Sequence, residues 1–100
     1  MTPLRYLPSF RGDLEQIWLY IAQDNMAAAD RLIDDLCERC QVLSEHPKAG
    51  SRRPDIAPDC RQLVIDRYVI LYRIREEQIE LIRALHGRRR QTDSLVDEDR

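Results

Sequence analysis

Residues 61–86 contain three apolar runs, Arg-Gln-Leu-Val-Ile, Tyr-Val-Ile-Leu-Tyr-Arg-Ile-Arg and Gln-Ile-Glu-Leu-Ile-Arg-Ala-Leu-His, separated by the pairs Asp66-Arg67 and Glu76-Glu77. β-Branched and aromatic residues dominate them, and the polar pairs are the length of a hairpin turn, so the segment is constrained to be a strand meander. Side-chain alternation then sorts the residues onto two faces. One face would carry Leu63, Ile65, Tyr68, Ile70, Tyr72, Ile74, Ile79, Leu81 and Leu85, and is expected to be core. The other would carry Val64, Val69, Leu71, Ile82 and Ala84 among Gln62, Arg73, Glu80 and His86, which is too apolar for an ordinary wet face.

Upstream, the pattern changes period. Leu4 and Tyr6 alternate with Arg5, which predicts a short opening strand joining the sheet. Leu14, Ile17, Trp18 and Ile21 recur at helical spacing, so a helix is expected over roughly Ser9 to Gln23 with Ser9 as its cap. Asp24-Asn25 breaks that pattern, and Ala29, Leu32, Ile33, Leu36, Cys40 and Leu43 make one stripe along a second helix from Met26 to Ser44. Both stripes need a partner, and the apolar sheet face supplies it. The expected fold is α+β with the order βααβββ, a helical hairpin packed on one face of a small antiparallel sheet. Pro47, Pro54 and Pro58 mark the segment between helix and meander as a surface loop. Residues 1–90 form the expected single domain, and 91–100 an acidic tail.

Charge is segregated within a formal total of -2. Residues 1–50 carry five basic and eight acidic groups, residues 51–90 ten and six, and residues 91–100 one and four, giving -3, +4 and -3. A basic middle block flanked by acidic segments can face an acidic partner or a nucleic acid locally, although the whole molecule is not a generic polyanion binder, and direct nucleic-acid binding is not expected. No run reaches the roughly 20 apolar residues of a membrane span. The N-terminus lacks a basic-then-apolar leader pattern, so the expected location is the cytoplasm. Three cysteines, an odd number, argue against a disulfide framework. Cys37-Glu-Arg-Cys40 has redox and zinc spacing, but inside a helical stripe without a second ligand pair it reads as packing thiols. No metal and no cofactor are expected.

The ordered set Asp13-Leu14, Ile17 and Tyr20, Ala29-Asp30, Leu43, Pro47, Gly50, Arg52 or Arg53, Arg61, Tyr68, Tyr72-Arg73 and His86-Gly87-Arg88 resembles the RelE/ParE superfamily of type II toxin–antitoxin toxins, and most closely its ParE branch. The resemblance extends through Arg90 and implies the same βααβββ fold. It also implies one of two activities, poisoning of DNA gyrase or ribosome-dependent cleavage of mRNA. RelE-type cleavage uses two Lys on the first meander strand, an Arg on the next, an Arg just after the last and a Tyr farther on. The matching positions here hold Gln62, Val64, Val69, Arg88 and Ser94, so only the arginine after the last strand is kept. Other superfamily nucleases use a Glu–Arg–His set, which leaves His86 and Arg88 as the alternative catalytic residues.

The expectation is therefore a non-catalytic toxin that inhibits gyrase, serves plasmid or chromosome stabilisation, and is neutralised in a hetero-oligomer with a ParD-like antitoxin. The antitoxin is expected on the second sheet face, at Val64, Val69, Leu71, Arg73 and Ile82. Arg88, Arg89 and Arg90 are expected to meet the target. Arg83 is expected to pair with a carboxylate of the second helix.

Overall fold

The computed structural model describes residues 1–87, and Arg88–Arg90 and the tail lie outside the described residues. The chain runs β1 (Leu4–Tyr6), α1 (Pro8–Ala22), α2 (Met26–Cys40), α3 (Val42–Glu45), β2 (Ser51–Arg52), β3 (Arg61–Ile65), β4 (Tyr68–Arg75) and β5 (Gln78–His86). The sheet has the order β1-β5-β4-β3-β2, with β1 parallel to β5 and the remaining pairs antiparallel. This is the α+β arrangement expected, except that the parallel β1 makes the sheet mixed rather than antiparallel, and it is enlarged by the two-residue edge strand β2 inside the predicted loop.

Both meander turns have the two-residue length expected, closed by the pairs Ile65 with Tyr68 and Arg75 with Gln78. Glu76 and Glu77 both have positive φ (50° and 62°), as a type I′ hairpin turn requires, and Asp66 has φ 55°.

The first helix starts and ends one residue before the expectation, and the second starts at Met26 as expected but stops short of Ser44. Pro8 opens α1, with Leu7 at the cap position, because proline's fixed φ and missing N–H suit the first helical residue. Ser9 is consequently inside the helix, and its hydroxyl donates to the Ile82 carbonyl at 2.7 Å. Asn25 caps α2, its side chain accepting from the Ala28 N–H at 2.9 Å. The second helix stops at Cys40, and a short turn of helix, α3, carries Leu43 into the core. Between the helices the Trp18 indole N–H donates to Asp30 at 2.7 Å.

Phe10, Leu14, Leu36, Cys40 and Leu43 pack on Ile65, Ile70, Tyr72, Ile79, Leu81 and Ala84 to form the main core. The expected core face is therefore right up to Leu81 and wrong beyond it. Tyr72 pairs with Leu81 but Leu71 pairs with Arg83, so Ile82 is an extra residue in β5. A bulge of this kind shifts the alternation by one position. Ala84 joins the helix-side core, and Leu85 joins Val69 and Leu71 on the other face. His86, paired with Tyr68, moves to the Tyr68 side as well, its ring 5.7 Å from the Tyr68 ring in an edge contact.

Candidate functional site

The second sheet face is apolar because it is a second core rather than an exposed patch. Residues 53–60 fold into a loop with hydrogen-bonded ends, Arg53 N donating to the Cys60 carbonyl at 2.8 Å and the Ile56 N–H returning to the Arg53 carbonyl at 3.0 Å. Cys60, Ile56 and Ala57 from this loop lie on Val69, Leu71 and Leu85. Arg53 fastens it through Asp55, at 2.7 and 2.9 Å, and through Gln62 at 2.7 Å. The contact lowers the Asp55 pKa, with the Arg53 hydrogen bond as its main cause. Arg75 and Asp59 add a link at 3.1 Å.

This corrects the expected antitoxin surface. Val69, Leu71 and Ile82 are buried, and Arg73 is half-buried, its Nε donating to Glu80 at 2.6 Å. A carboxylate introduced at Leu71 would enter a packed interior, so the effect of Leu71→Asp would be on folding. Only Val64, at 57% exposure, keeps the character assigned to the group. The missed signal was Ile56, Ala57 and Cys60, three apolar residues inside a segment whose prolines suggested only a loop.

The exposed functional candidates gather instead where β3, β4 and β5 end together. Val64, Asp66, Arg67, Val69, His86 and Gly87 line a recess of about 340 Å³. The Gly87 N–H donates to the Arg67 carbonyl at 2.7 Å, tying the end of the last strand to the first hairpin turn. A Cβ at Gly87 would stand 3.1 Å from that carbonyl oxygen, a tight contact that the Arg67 carbonyl would have to ease by shifting slightly. Asp66 is engaged by Arg39 of α2 at 2.9 Å, while Arg67 is exposed. His86 is partly buried against Tyr68, whose hydroxyl pKa is raised mainly by burial. Arg88, the alternative catalytic partner of His86, and the expected target residues Arg88–Arg90 follow immediately in sequence and lie outside the described residues.

The cysteines are built for packing. Burial pushes the Cys40 thiol up to about 12 and the Cys60 thiol up to about 11, so neither is a thiolate at neutral pH. Tyr6, beside Cys37 and Cys40, is likewise raised to about 12, first by burial and then by Cys37. Among the described residues no group of three or more His, Cys, Asp and Glu is placed to hold a metal ion. No helix among them is long and apolar enough to cross a membrane.

The helical hairpin on one sheet face, the loop sealing the other and the short parallel edge strand define a small α+β domain. The family described as "ParE toxin of type II toxin-antitoxin system, parDE" matches residues 4–91. The chain belongs to this family and is thus the toxin type of a type II toxin–antitoxin system. Among its relatives, Toxin ParE1 of Caulobacter vibrioides is 28% identical over 87 residues, covering 86% of this chain and 90% of the relative. Toxin ParE3 of the same organism is 27% identical over 78 residues, covering 77% and 78%. A solved structure titled "Chromosomal ParDE TA system from P. aeruginosa" shares the fold, with a TM-score of 0.74, 21% identity, and coverage of 86% of this chain and 96% of that one.

Proposed function

We propose that this chain is a cytoplasmic toxin that acts on DNA gyrase without catalysing a reaction of its own, and that a cognate ParD-like antitoxin neutralises it in a hetero-oligomeric complex. The family match over residues 4–91 carries the proposal. The recess at the end of the sheet supports it chemically. RNA cleavage at the 2′-hydroxyl needs groups that move protons and neutralise a phosphorane. Of the five positions that hold such groups in RelE-like toxins, three are here Gln62, which binds Arg53, an exposed Val64 and a buried Val69, while Arg88 keeps the arginine and Ser94 replaces the tyrosine. None of those three side chains can do either task. Arg88–Arg90 remain the proposed target contacts.

The test is induction of the toxin in cells, paired with a supercoiling assay on purified gyrase. The expected result is loss of supercoiling and accumulation of broken DNA, relieved by the antitoxin, while mRNA on ribosomes stays intact. Ribosome-dependent mRNA cleavage that disappears with His86→Ala would overturn the proposal in favour of a nuclease.

A further inference from the structure

We propose that the free edge of β3 at Val64 receives an extended, acidic segment of the cognate antitoxin as an added strand. The inference rests on the antitoxin reading above and names where the antitoxin docks.

The backbone geometry supplies the first reason. In β3 the Cys60 carbonyl accepts from Arg53, and Gln62 pairs with Ser51, so alternate residues of this strand face β2. Val64 is next in that phase. Its N–H and C=O point away from β4, in the direction an added strand would occupy. The same register would bring Ala49 opposite Val64, but the chain has already turned away there. Ala49 N donates to the His46 carbonyl at 3.0 Å, and the Tyr72 hydroxyl holds Gly50 N and the Pro47 carbonyl at 2.9 Å each. Among the described residues no strand pairs with the outer edge of β3, the one opposite β4, beyond Gln62.

The side chains supply the second. Sheet edges are normally blunted by charge, proline or a covering element. Val64 instead presents an apolar side chain at 57% exposure beside a recess floored by Val69. A strand added here would place every second residue over that recess, where an apolar side chain fits against Val64 and Val69. Arg67 is exposed on the rim, and Asp66, the acidic member of the recess, already faces Arg39 at 2.9 Å. Arg67 has no ion-pair partner among the described residues, so the unanswered charge on this rim is positive and the flanking residues of a matching segment are acidic.

Amide exchange at Val64 tests this on the full-length toxin, free and bound to its cognate antitoxin. The expected result is slowing of Val64 exchange by about 100-fold or more in the complex, the protection that a strand pairing confers. A variant gives the second reading. Val64→Pro removes the edge N–H while leaving the β3–β4 ladder its bonds, and should weaken antitoxin binding by about tenfold or more with circular dichroism and melting near wild type. Val64→Thr, which keeps the N–H and the branched shape, should bind within about threefold of wild type, on the same free-energy scale. A tight wild-type complex in which Val64 exchanges as fast as in the free toxin overturns the edge site and leaves the antitoxin reading standing. Protection produced by gyrase and not by antitoxin overturns the assigned occupant. A wild-type toxin that binds no antitoxin overturns both.

Discussion

Asp13 and Arg83, 70 residues apart, form a two-point contact in which Asp13 Oδ2 accepts from Arg83 Nε at 2.7 Å and Asp13 Oδ1 from Arg83 Nη2 at 3.2 Å. Asp13 Oδ2 also accepts the Ala84 backbone N–H at 2.9 Å. The carboxylate belongs to α1, not to the second helix where the pairing was expected. Its position has a structural reason. β1 ends at Tyr6, the Leu7 N–H makes one last bond to the Leu81 carbonyl, and β5 then runs on beside β4 with no strand on its other edge among the described residues. The first turns of α1 take over, with Ser9 on the Ile82 carbonyl and Asp13 on the Ala84 N–H. They seal a sheet edge just where the bulge has disturbed the ladder.

Removing that carboxylate leaves a nearly buried guanidinium and a backbone donor short of an acceptor. Asp13→Ala should therefore cost about 2–4 kcal/mol of unfolding free energy. A double-mutant cycle with Arg83→Ala, measured by urea unfolding, should show coupling of about 1–3 kcal/mol. Strict additivity would mean the two residues act independently.

Gly50 is required by close approach rather than by its φ. A Cβ there would lie 2.3 Å from the Gln62 carbonyl oxygen and 2.7 Å from the Tyr72 ring and hydroxyl. Gly50→Ala must push β2 off β3 or shift Tyr72, and should destabilise by about 1–3 kcal/mol, the cost of overpacking. Tyr72→Phe keeps the packing but abandons Gly50 N and the Pro47 carbonyl, and should cost about 1–3 kcal/mol. Thermal melting of the two variants checks both, and a Tyr72→Phe protein as stable as wild type would show that water replaces the hydroxyl without loss.

The second hairpin turn holds two glutamates at positive φ. Left-handed backbone at non-glycine residues costs roughly 1–2 kcal/mol each. Replacing the pair by Asn-Gly, which suits a type I′ turn, should raise stability by about 1–2 kcal/mol. An unchanged or lower denaturation midpoint would count against the strain.

Stability should fall at alkaline pH. Burial raises the folded-state pKa of Cys60 from 9.0 to about 11 and of Cys40 from 9.0 to about 12, so folding favours the neutral thiols. The stabilisation from this is complete below the unfolded pKa near 9 and is lost as pH rises through 9 toward 11 and 12. Urea unfolding at pH 8, 9.5 and 10.5 should show the decline, and Cys60→Ala should make it shallower. Identical slopes for variant and wild type would remove Cys60 from the account.

Side-chain periodicity determined much of this protein without help from tertiary structure. The alternation from Leu63 to Leu81 marks the face that meets the helices, and the two polar pairs mark the turns, because both are properties of neighbouring residues along one strand. The helical stripe of Ala29, Leu36 and Cys40 is local in the same way. What happens after Leu81 is not local. Whether Ile82 continues the ladder or bulges depends on how β5 meets β4, β1 and α1 at once, and that one residue decides the faces of Ala84, Leu85 and His86. Likewise, Val69 and Leu71 read the same whether a partner or their own chain covers them. Tertiary folding brought Ile56, Ala57 and Cys60 across the sheet, and so turned a predicted docking face into a second core and left Val64, at the open edge, exposed. Burial of an apolar residue is set by what is near in space, and sequence spacing states only which residues can share a face.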